Sequence, residues 1–552
     1  MQFRTDIQTL RALAVAAVLL FHFQVPGFAS GFLGVDIFFV ISGYLMMALY
    51  VPEKGAIGFY ERRAKRLLPA YLATILATLA ISWFVTIPPD FKQVAEQAVW
   101  ASALSSNVGY WMQNSYFSKI DFNPLLHLWS LGVELQFYLI LPLIFWITRR
   151  FRWFLPLLVV ASLILCLLLV TLSPKTAFFM MPARIWEFGF GMMAAQLSGG
   201  EAKNKMVGGC AALLLPLTLF IPVNGEIQDI LFGHPGAMAV VVSLLTALAL
   251  WGGFSFTPFK KIGDWSYSIY LAHFPALALV NYEPFGGTIL GGWMAVPWTI
   301  IAAALLYRLF ERGKLFTWPR AALATAMTGL AGLLVAPLQL SGFSPAEQKI
   351  FAALDDRAEY RCGKLFRITN PGSDTCLIWH GKGKVVGEIF LVGDSHADAV
   401  KQVFADAAGA RGYAVRFAVA NDPLLNPALG PEWVMARAKG PVVLHFSATN
   451  MPKIKPVPGA LIIPLTPEFS DNVPKILYRN LVRNEALPAE MQKDGVPLYF
   501  DKDHLTLTGA RLLRPEMDRI VADAISASAT TDMALHPQEI PYSVQEEKDQ
   551  GS

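Results

Sequence analysis

TLRALAVAAVLLFHFQVPGFASGFLGVDIFFVISGYLM, residues 9–46, reads as two apolar segments joined by a short turn that contains Pro and Gly. The pattern is a membrane hairpin, yet it carries Arg11, His22 and Asp36. A charge near the centre of a bilayer costs about 2.5–3.5 kcal/mol on insertion scales. A Leu, Ile, Phe or Val returns only about 0.3–0.6 kcal/mol there. Arg11 and His22 are eleven residues apart, close to three helical turns, so they share one stripe at different depths. Snorkelling accounts for Arg11 and helix capping for Asp36, whereas His22 reads either as a satisfied core histidine or as a catalytic one.

The rest of the chain extends this reading. Of 552 residues, 54% are hydrophobic and 16% charged, so most of the chain is expected in lipid. Apolar spans are expected near 10–24, 33–51, 67–86, 125–147, 153–172, 184–198, 206–222, 235–252, 264–281, 292–309 and 320–339. No small-residue cleavage pattern follows the first span, so no cleavable signal peptide is expected.

Alternate loops separate by charge. One set holds Lys54, Arg62, Arg63, Lys65 and Arg66, then Arg149, Arg150 and Arg152, then Lys203 and Lys205, then Lys260 and Lys261, then Arg308, Arg312, Lys314 and Arg320. The other set holds Lys92, Lys119 and Lys175. By the positive-inside rule the amino terminus is expected in the cytoplasm, and an odd number of spans puts everything after Leu340 on the far side. The net charge of +4 is small and speaks for topology rather than for nucleic acid. Cys166 and Cys210 lie in apolar spans and read as packing residues, whereas Cys362 and Cys376 lie in a polar segment at a spacing that a disulfide loop can close.

Several spans carry polar groups that lipid-facing helices avoid. NPLLHLWSLGVELQFYLILP puts His127 and Glu134 seven residues apart on one face, with Tyr138 a turn further. ERRAKR puts Arg63 and Arg66 three apart; it reads as topogenic charge or, because the guanidinium fork suits phosphate, as an anion site. Arg184 and Glu187 can pair at i,i+3, as a structural salt bridge or a functional pair. Tyr267, Tyr270 and His273 occupy SYSIYLAHFP.

These phrases, with FYERRAKRLLPAY and RIWEFGFG, resemble the membrane acyltransferase 3 family in kind and in order over the whole membrane half. The resemblance implies transfer of an acyl group, usually acetyl, from cytoplasmic acyl-CoA to a carbohydrate. It implies that His22 is catalytic, with Arg11 its neighbour on the same span, that Arg63 and Arg66 hold the acyl-CoA, and that Glu134 is a functional acid. The residue types suit that chemistry, since histidine is partly neutral near pH 7 and cations hold the phosphates of CoA.

After Leu340 the pattern changes. One helix is expected near 345–357, strands near 386–392, 413–419, 441–446, 460–465 and 497–500, and helices near 396–409 and 506–527, which together suggest a small α/β sheet. The segment 340–384 reads as a linker or extension, 385–528 as the domain, and 529–552 as a polar, disordered tail, after a membrane domain of 1–339. IFLVGDSHADAV places Ser395 where a strand ends and a helix begins, and YFDKDHLTLTGARLL supplies Asp501 and His504 three apart. Alone, the first reads as an N-cap serine and the second as a surface loop. Together they resemble the SGNH hydrolase family, which implies Ser395 as nucleophile, His504 as base and Asp501 as orienter. The family's middle blocks are not evident, and Asn450 is the one oxyanion candidate. SATNMPKIKPVPG lacks a helical period, so one crossover helix is expected to be missing.

The expected fold is thus a multi-span α-helical membrane domain followed by a small α/β SGNH-like periplasmic domain. The expected protein is an O-acyltransferase of a bacterial inner membrane. Acetyl-CoA is its donor, and a cell-surface polysaccharide such as O-antigen, or a lipid-linked glycan, is its acceptor. Membrane lipid is a partner; no nucleic acid and no metal are expected. A glycan transporter with an accessory esterase or glycan-binding domain is the rival reading.

Overall fold

The computed structural model describes residues 4–52, 55–112, 122–225, 227, 229–256, 259–282, 292–311, 318–359, 362–363, 366, 375–419 and 431–535. Lys54, Lys119, Arg312, Lys314 and the tail beyond residue 535 lie outside them. The chain forms two compact units, 1–344 and 345–552.

The first unit is helical. It comprises α1 (Thr5–His22), α2 (Gly34–Leu49), α3 (Gly55–Val85), α4 (Pro88–Ser102), α5 (Ser106–Met112), α6 (Leu128–Arg150), α7 (Phe154–Leu172), α8 (Pro174–Phe179), α9 (Ile185–Ser198), α10 (Lys205–Thr218), α11 (Ala237–Gly252), α12 (Lys260–Val280), α13 (Ala295–Leu305) and α14 (Trp318–Leu340). A π-helical stretch, Leu306–Glu311, continues α13. A helix stands at each expected span, and seven helices among the described residues are long and apolar enough to cross a membrane. The chain is a membrane protein. Three helices lie outside the expected spans, the 15-residue α4 and the short α5 and α8, and α3 starts well before its apolar stretch, so that ERRAKR is helical.

What holds the unit together is close helix contact plus buried charge. α2 packs most extensively on α9, with Gly43 and Gly191 at the crossing. A Cβ at Gly43 would come within 1.9 Å of the Phe188 carbonyl oxygen, and one at Gly191 within 1.9 Å of that of Val40. Only glycine allows that approach. Beside this crossing, Arg184 Nη2 lies 3.2 Å from Asp36 Oδ1 and Arg184 Nη1 lies 3.1 Å from Glu187 Oε1, all three side chains fully buried. His234 Nε2 approaches Asp36 at 3.7 Å. Asp36 therefore does not cap its helix toward water. It is tied across the bundle to Arg184, because a carboxylate inside apolar packing needs a cation more than a backbone donor.

The second unit opens with α15 (Pro345–Ala352), shorter than expected. Its sheet has the order β1 (Cys376–Ile378), β3 (Tyr413–Val419), β2 (Gly387–Gly393), β4 (Val442–His445), β5 (Leu461–Ile462), with β1 antiparallel and the others parallel. β1 falls in what reads as an extension; three residues are too few to show alternation. A disulfide joins Cys362 to Cys376 at its start, with Cα atoms 6.0 Å apart.

α16 (Ser395–Gly409) follows β2, α17 (Pro431–Ala436) precedes β4, and α18 (Val473–Val482) follows β5. Between β4 and β5 there is only the 3-10 turn Met451–Lys453, as the sequence suggests. The strand expected at 497–500 does not join the sheet. Its first part, β7 (Val496–Pro497), pairs with β6 (Gln492–Lys493) in a separate ribbon, and residues 499–505 form a loop closed by a Tyr499–Leu505 bridge. The helix expected at 506–527 is two, α19 (Leu507–Leu512) and α20 (Arg514–Leu535). Pro515 has no N–H to continue the α19 ladder. α20 also carries helix into the stretch read as a tail.

β2 lies between β3 and β4, so the connections leaving it and returning to its other side run in opposite directions. The carboxyl end of β2 is therefore the switch point where an α/β sheet opens a crevice. Ser395 stands there.

Candidate active sites

In the first unit, one cavity is lined by Arg11 from α1, Ser42 from α2, Arg63 and Arg66 from α3, Ser130, Glu134 and Tyr138 from α6, and Tyr267 and Tyr270 from α12. Four sequence-selected residues, Arg11, Arg63, Arg66 and Glu134, thus meet in one place. Arg11 points into this cavity rather than snorkelling. Glu134 accepts hydrogen bonds from Ser42 and Tyr138, which fix the orientation of its carboxyl group. Three guanidiniums against one carboxylate leave the cavity cationic. The buried Nε of Arg63 has no acceptor among the described residues, and an anionic group would supply one.

His22 does not line that cavity. It ends α1, about 16 Å along the axis from Arg11. Its Nδ1 lies 3.0 Å from Nε2 of His273 on α12, and its ring packs edge-on against Phe274. His273 and His127 are completely buried, whereas His22 is half-buried. His127, just ahead of α6, stacks on Phe274, and its backbone carbonyl accepts from Tyr270, whose hydroxyl also meets Ser130 at 2.6 Å. Tyr270 and Ser130 therefore belong both to the cavity wall and to the surroundings of the histidines. Sequence reasoning did not single out His273 as a partner of His22; 251 residues separate them.

In the second unit, Ser395, His504 and Asp501 are hydrogen-bonded in series. Ser395 Oγ lies 2.6 Å from His504 Nε2, and His504 Nδ1 lies 2.7 Å from Asp501 Oδ2. Asp501 Oδ1 also accepts the His504 backbone N–H at 2.7 Å, so its carboxylate holds both ring and main chain. Phe500 stacks on the His504 ring with centroids 5.6 Å apart. Asp503 is a second carboxylate at 3.0 Å from His504 Nδ1.

The turn before Ser395 is braced by Asp394. Its side chain caps α16 through the His396 N–H at 3.0 Å and accepts from the Ser447 N–H and Asn450 Nδ2, both at 2.9 Å. Asn450, the oxyanion candidate, is thus bonded to Asp394 and accepts from Lys453 at 3.2 Å. It braces the turn before Ser395. The Ser395 N–H, in the first turn of α16, is a donor that the helix itself cannot satisfy.

Burial works against charge on His504, but the hydrogen bond from its ring to Asp501, and the charges of Asp501, Asp503 and Asp394, outweigh it and raise its pKa above the usual histidine value. For Asp501 burial works the other way, and the His504 hydrogen bond and charge bring its pKa below the usual carboxylate range. The pair is therefore an ionised carboxylate hydrogen-bonded to an imidazole whose protonated form it favours. Only neutral His504 can take the Ser395 proton, so activity at Ser395 is expected to rise with pH through a midpoint above 6.5. Asp501→Asn is expected to move that midpoint down and to lower the plateau by about 10²–10⁴-fold. Hydrolysis of p-nitrophenyl acetate against pH checks both; an unmoved midpoint would refute the pairing.

Comparison with known proteins bears on the first unit. Residues 4–308 match the model of an acyltransferase domain family. BcsY of Komagataeibacter xylinus, proposed as a membrane-bound transacylase, is 31% identical over 352 residues, 61% of this chain and 90% of BcsY. O-acetyltransferase OatA of Staphylococcus aureus (strain NCTC 8325 / PS 47) is 31% identical over 303 residues, 49% of this chain. The matched region spans half the length of OatA. No solved structure matches the chain.

Proposed function

The chain belongs to the acyltransferase 3 family, and from that membership we propose that it moves an acetyl group from cytoplasmic acetyl-CoA to a hydroxyl of a cell-surface polysaccharide. O-antigen is one such acceptor; a lipid-linked glycan is another. The observation that carries this reading is the cationic cavity of Arg11, Arg63 and Arg66, in which the buried Nε of Arg63 has no acceptor among the described residues. Guanidinium forks suit the pyrophosphate and the 3′-phosphate of CoA. The charge bias of the loops supports an amino terminus and a cavity mouth on the cytoplasmic side of a bacterial inner membrane, with the second unit in the periplasm. The disulfide supports the same sidedness, since thiols in a reducing cytoplasm stay open.

In this reading His22 handles the acyl group as base or nucleophile when the C–S bond of the thioester breaks and the CoA thiol leaves. The second unit acts as an SGNH-type site. His504 takes the Ser395 proton as Oγ bonds the acetyl carbon, the bond from that carbon to the group that delivered it breaks, and His504 returns the proton to that departing group; the Ser395 N–H would donate to the oxyanion. A sugar hydroxyl then attacks that ester, its proton passing to His504 and on to the departing Ser395 Oγ. The glycan leaves acetylated and the serine is restored. Direct acetylation at the membrane, with Ser395 serving an esterase, is the second reading. The β4–β5 connection, residues 446–460, which holds only a 3-10 turn where such a sheet normally has a helix, favours it.

Labelled acetyl-CoA supplied to inverted membrane vesicles tests the proposal. Label is expected in polysaccharide, and Ser395→Ala is expected to lower it by about 10²-fold or more. Undiminished transfer would remove Ser395 from the pathway. Glycan export that proceeds without any labelling would instead favour the transporter.

A further inference from the structure

The reading of His22 as the acyl-handling group leaves open which of its two ring nitrogens does the work, and the structure answers through a residue that no catalytic role requires. His273 Nδ1 lies 2.7 Å from the carbonyl oxygen of Tyr270, one turn back on α12. A carbonyl can only accept, so that nitrogen carries a proton. His273 is fully buried, its ring contacts being His22, His127, Tyr270 and Phe274. An imidazolium buried among such rings, with no carboxylate bonded to it among the described residues, would be uncompensated, so the ring keeps that one proton and its Nε2 bears the lone pair. His22 Nδ1 stands 3.0 Å from this Nε2. Two lone pairs cannot face each other at that distance, so the proton between the rings sits on His22 Nδ1. The proton-free nitrogen of His22 is then Nε2.

We propose that His273 is a positioning residue that, through the Tyr270 carbonyl, locks His22 in its Nδ1–H tautomer and makes Nε2 the nitrogen that takes up the proton or the acyl group. The proposal rests on the reading of His22 given above. The logic is that of a triad in which the orienting member is a backbone carbonyl relayed through a neutral imidazole, rather than a carboxylate. A carboxylate there would place an anion deep in apolar packing; the imidazole transmits the same directional demand without charge. The ring of Phe274, 4.8 Å from that of His22, restrains the same orientation.

The test is made on the full-length protein in lipid nanodiscs with isotope-labelled histidine. Nitrogen NMR separates pyrrole-type from pyridine-type ring nitrogens, and His22 is assigned by the loss of its signals in His22→Gln. The wild type is expected to show a pyrrole-type Nδ1 and a pyridine-type Nε2 at His22. In His273→Phe, which fills the space without an acceptor, the two tautomers of His22 are expected to mix. In His273→Gln the side-chain amide oxygen can accept from His22 Nδ1, and the wild-type pattern is expected to persist. With acetyl-CoA as the probe, kcat for CoA release is expected to fall by about 10²-fold in His273→Phe with KM unchanged, and to recover in His273→Gln. A pyridine-type Nδ1 at His22 in the wild type would overturn the proposal even if the Phe variant did not fold. So would a His22 pattern unaltered in His273→Phe, or equal kcat losses in the Phe and Gln variants. Should the wild type release no CoA at all, the proposed function falls, and the tautomer measurement still decides for or against the role of His273.

Discussion

His22→Gln is expected to reduce transfer from acetyl-CoA to glycan by about 10²–10⁴-fold while leaving the protein folded in the membrane. The choice of glutamine matters. Alanine would remove the ring and leave the Nε2 of buried His273 without a donor, a cost of about 1–3 kcal/mol that confuses lost chemistry with lost packing. A glutamine amide can still donate toward His273, yet it cannot act as a base near neutral pH. Labelled acetyl-CoA on inverted vesicles reads the activity, and the elution profile of the detergent-solubilised protein reads the fold. A Gln variant that transfers at more than about one-tenth of the wild-type rate would end the case for His22.

Arg184→Ala is expected to be the most damaging single change to stability. It strips the cation from between Asp36 and Glu187, with both carboxyl groups fully buried and His234 the nearest remaining base. Removing one member of a buried charge set costs about 3–5 kcal/mol, because the partners stay behind without compensation. Against a typical margin of about 5–15 kcal/mol, that is enough to reduce the folded fraction in the membrane severely. The triple variant Asp36→Leu, Arg184→Met, Glu187→Leu is expected to be milder than Arg184→Ala alone, since it removes the charges together. Thermal aggregation midpoints in detergent compare the two. A triple variant less stable than the single one would mean that the cluster is more than a paired charge set.

Much of this was legible from local pattern. Apolar helices announce themselves by composition, so a helix stands at each of the eleven apolar stretches, seven of them long and apolar enough to cross a membrane among the described residues. GDS and D-x-x-H lie at the ends of elements whose type the sequence reveals, so Ser395, Asp501 and His504 could be named before the sheet was known. What escaped is tertiary. His22 meets His273 across 251 residues, Ser42 meets Glu134 across 92, and Arg184 meets Asp36 across 148. No spacing rule reaches that far. Asn450 shows the same limit: its side-chain amide donates to Asp394, 56 residues away, a contact that no local phrase reveals. β1 escaped because its pairing with β3, rather than its own three residues, makes it a strand.

The crossing of α2 and α9 carries a warning for engineering. Exchanging glycine for alanine inside a helix is a common way to gain thermostability, worth about 0.5–1 kcal/mol where the backbone is unobstructed. At Gly43 and Gly191 the added methyl would meet a carbonyl oxygen of the opposite helix at 1.9 Å, so the backbones must part to admit it. Parting them would strain the neighbouring Arg184–Asp36 bond, which ties α2 to the residue that caps α9. A stabilisation campaign that scores helix propensity residue by residue would rank these two positions among its best targets. They are the ones it must leave untouched.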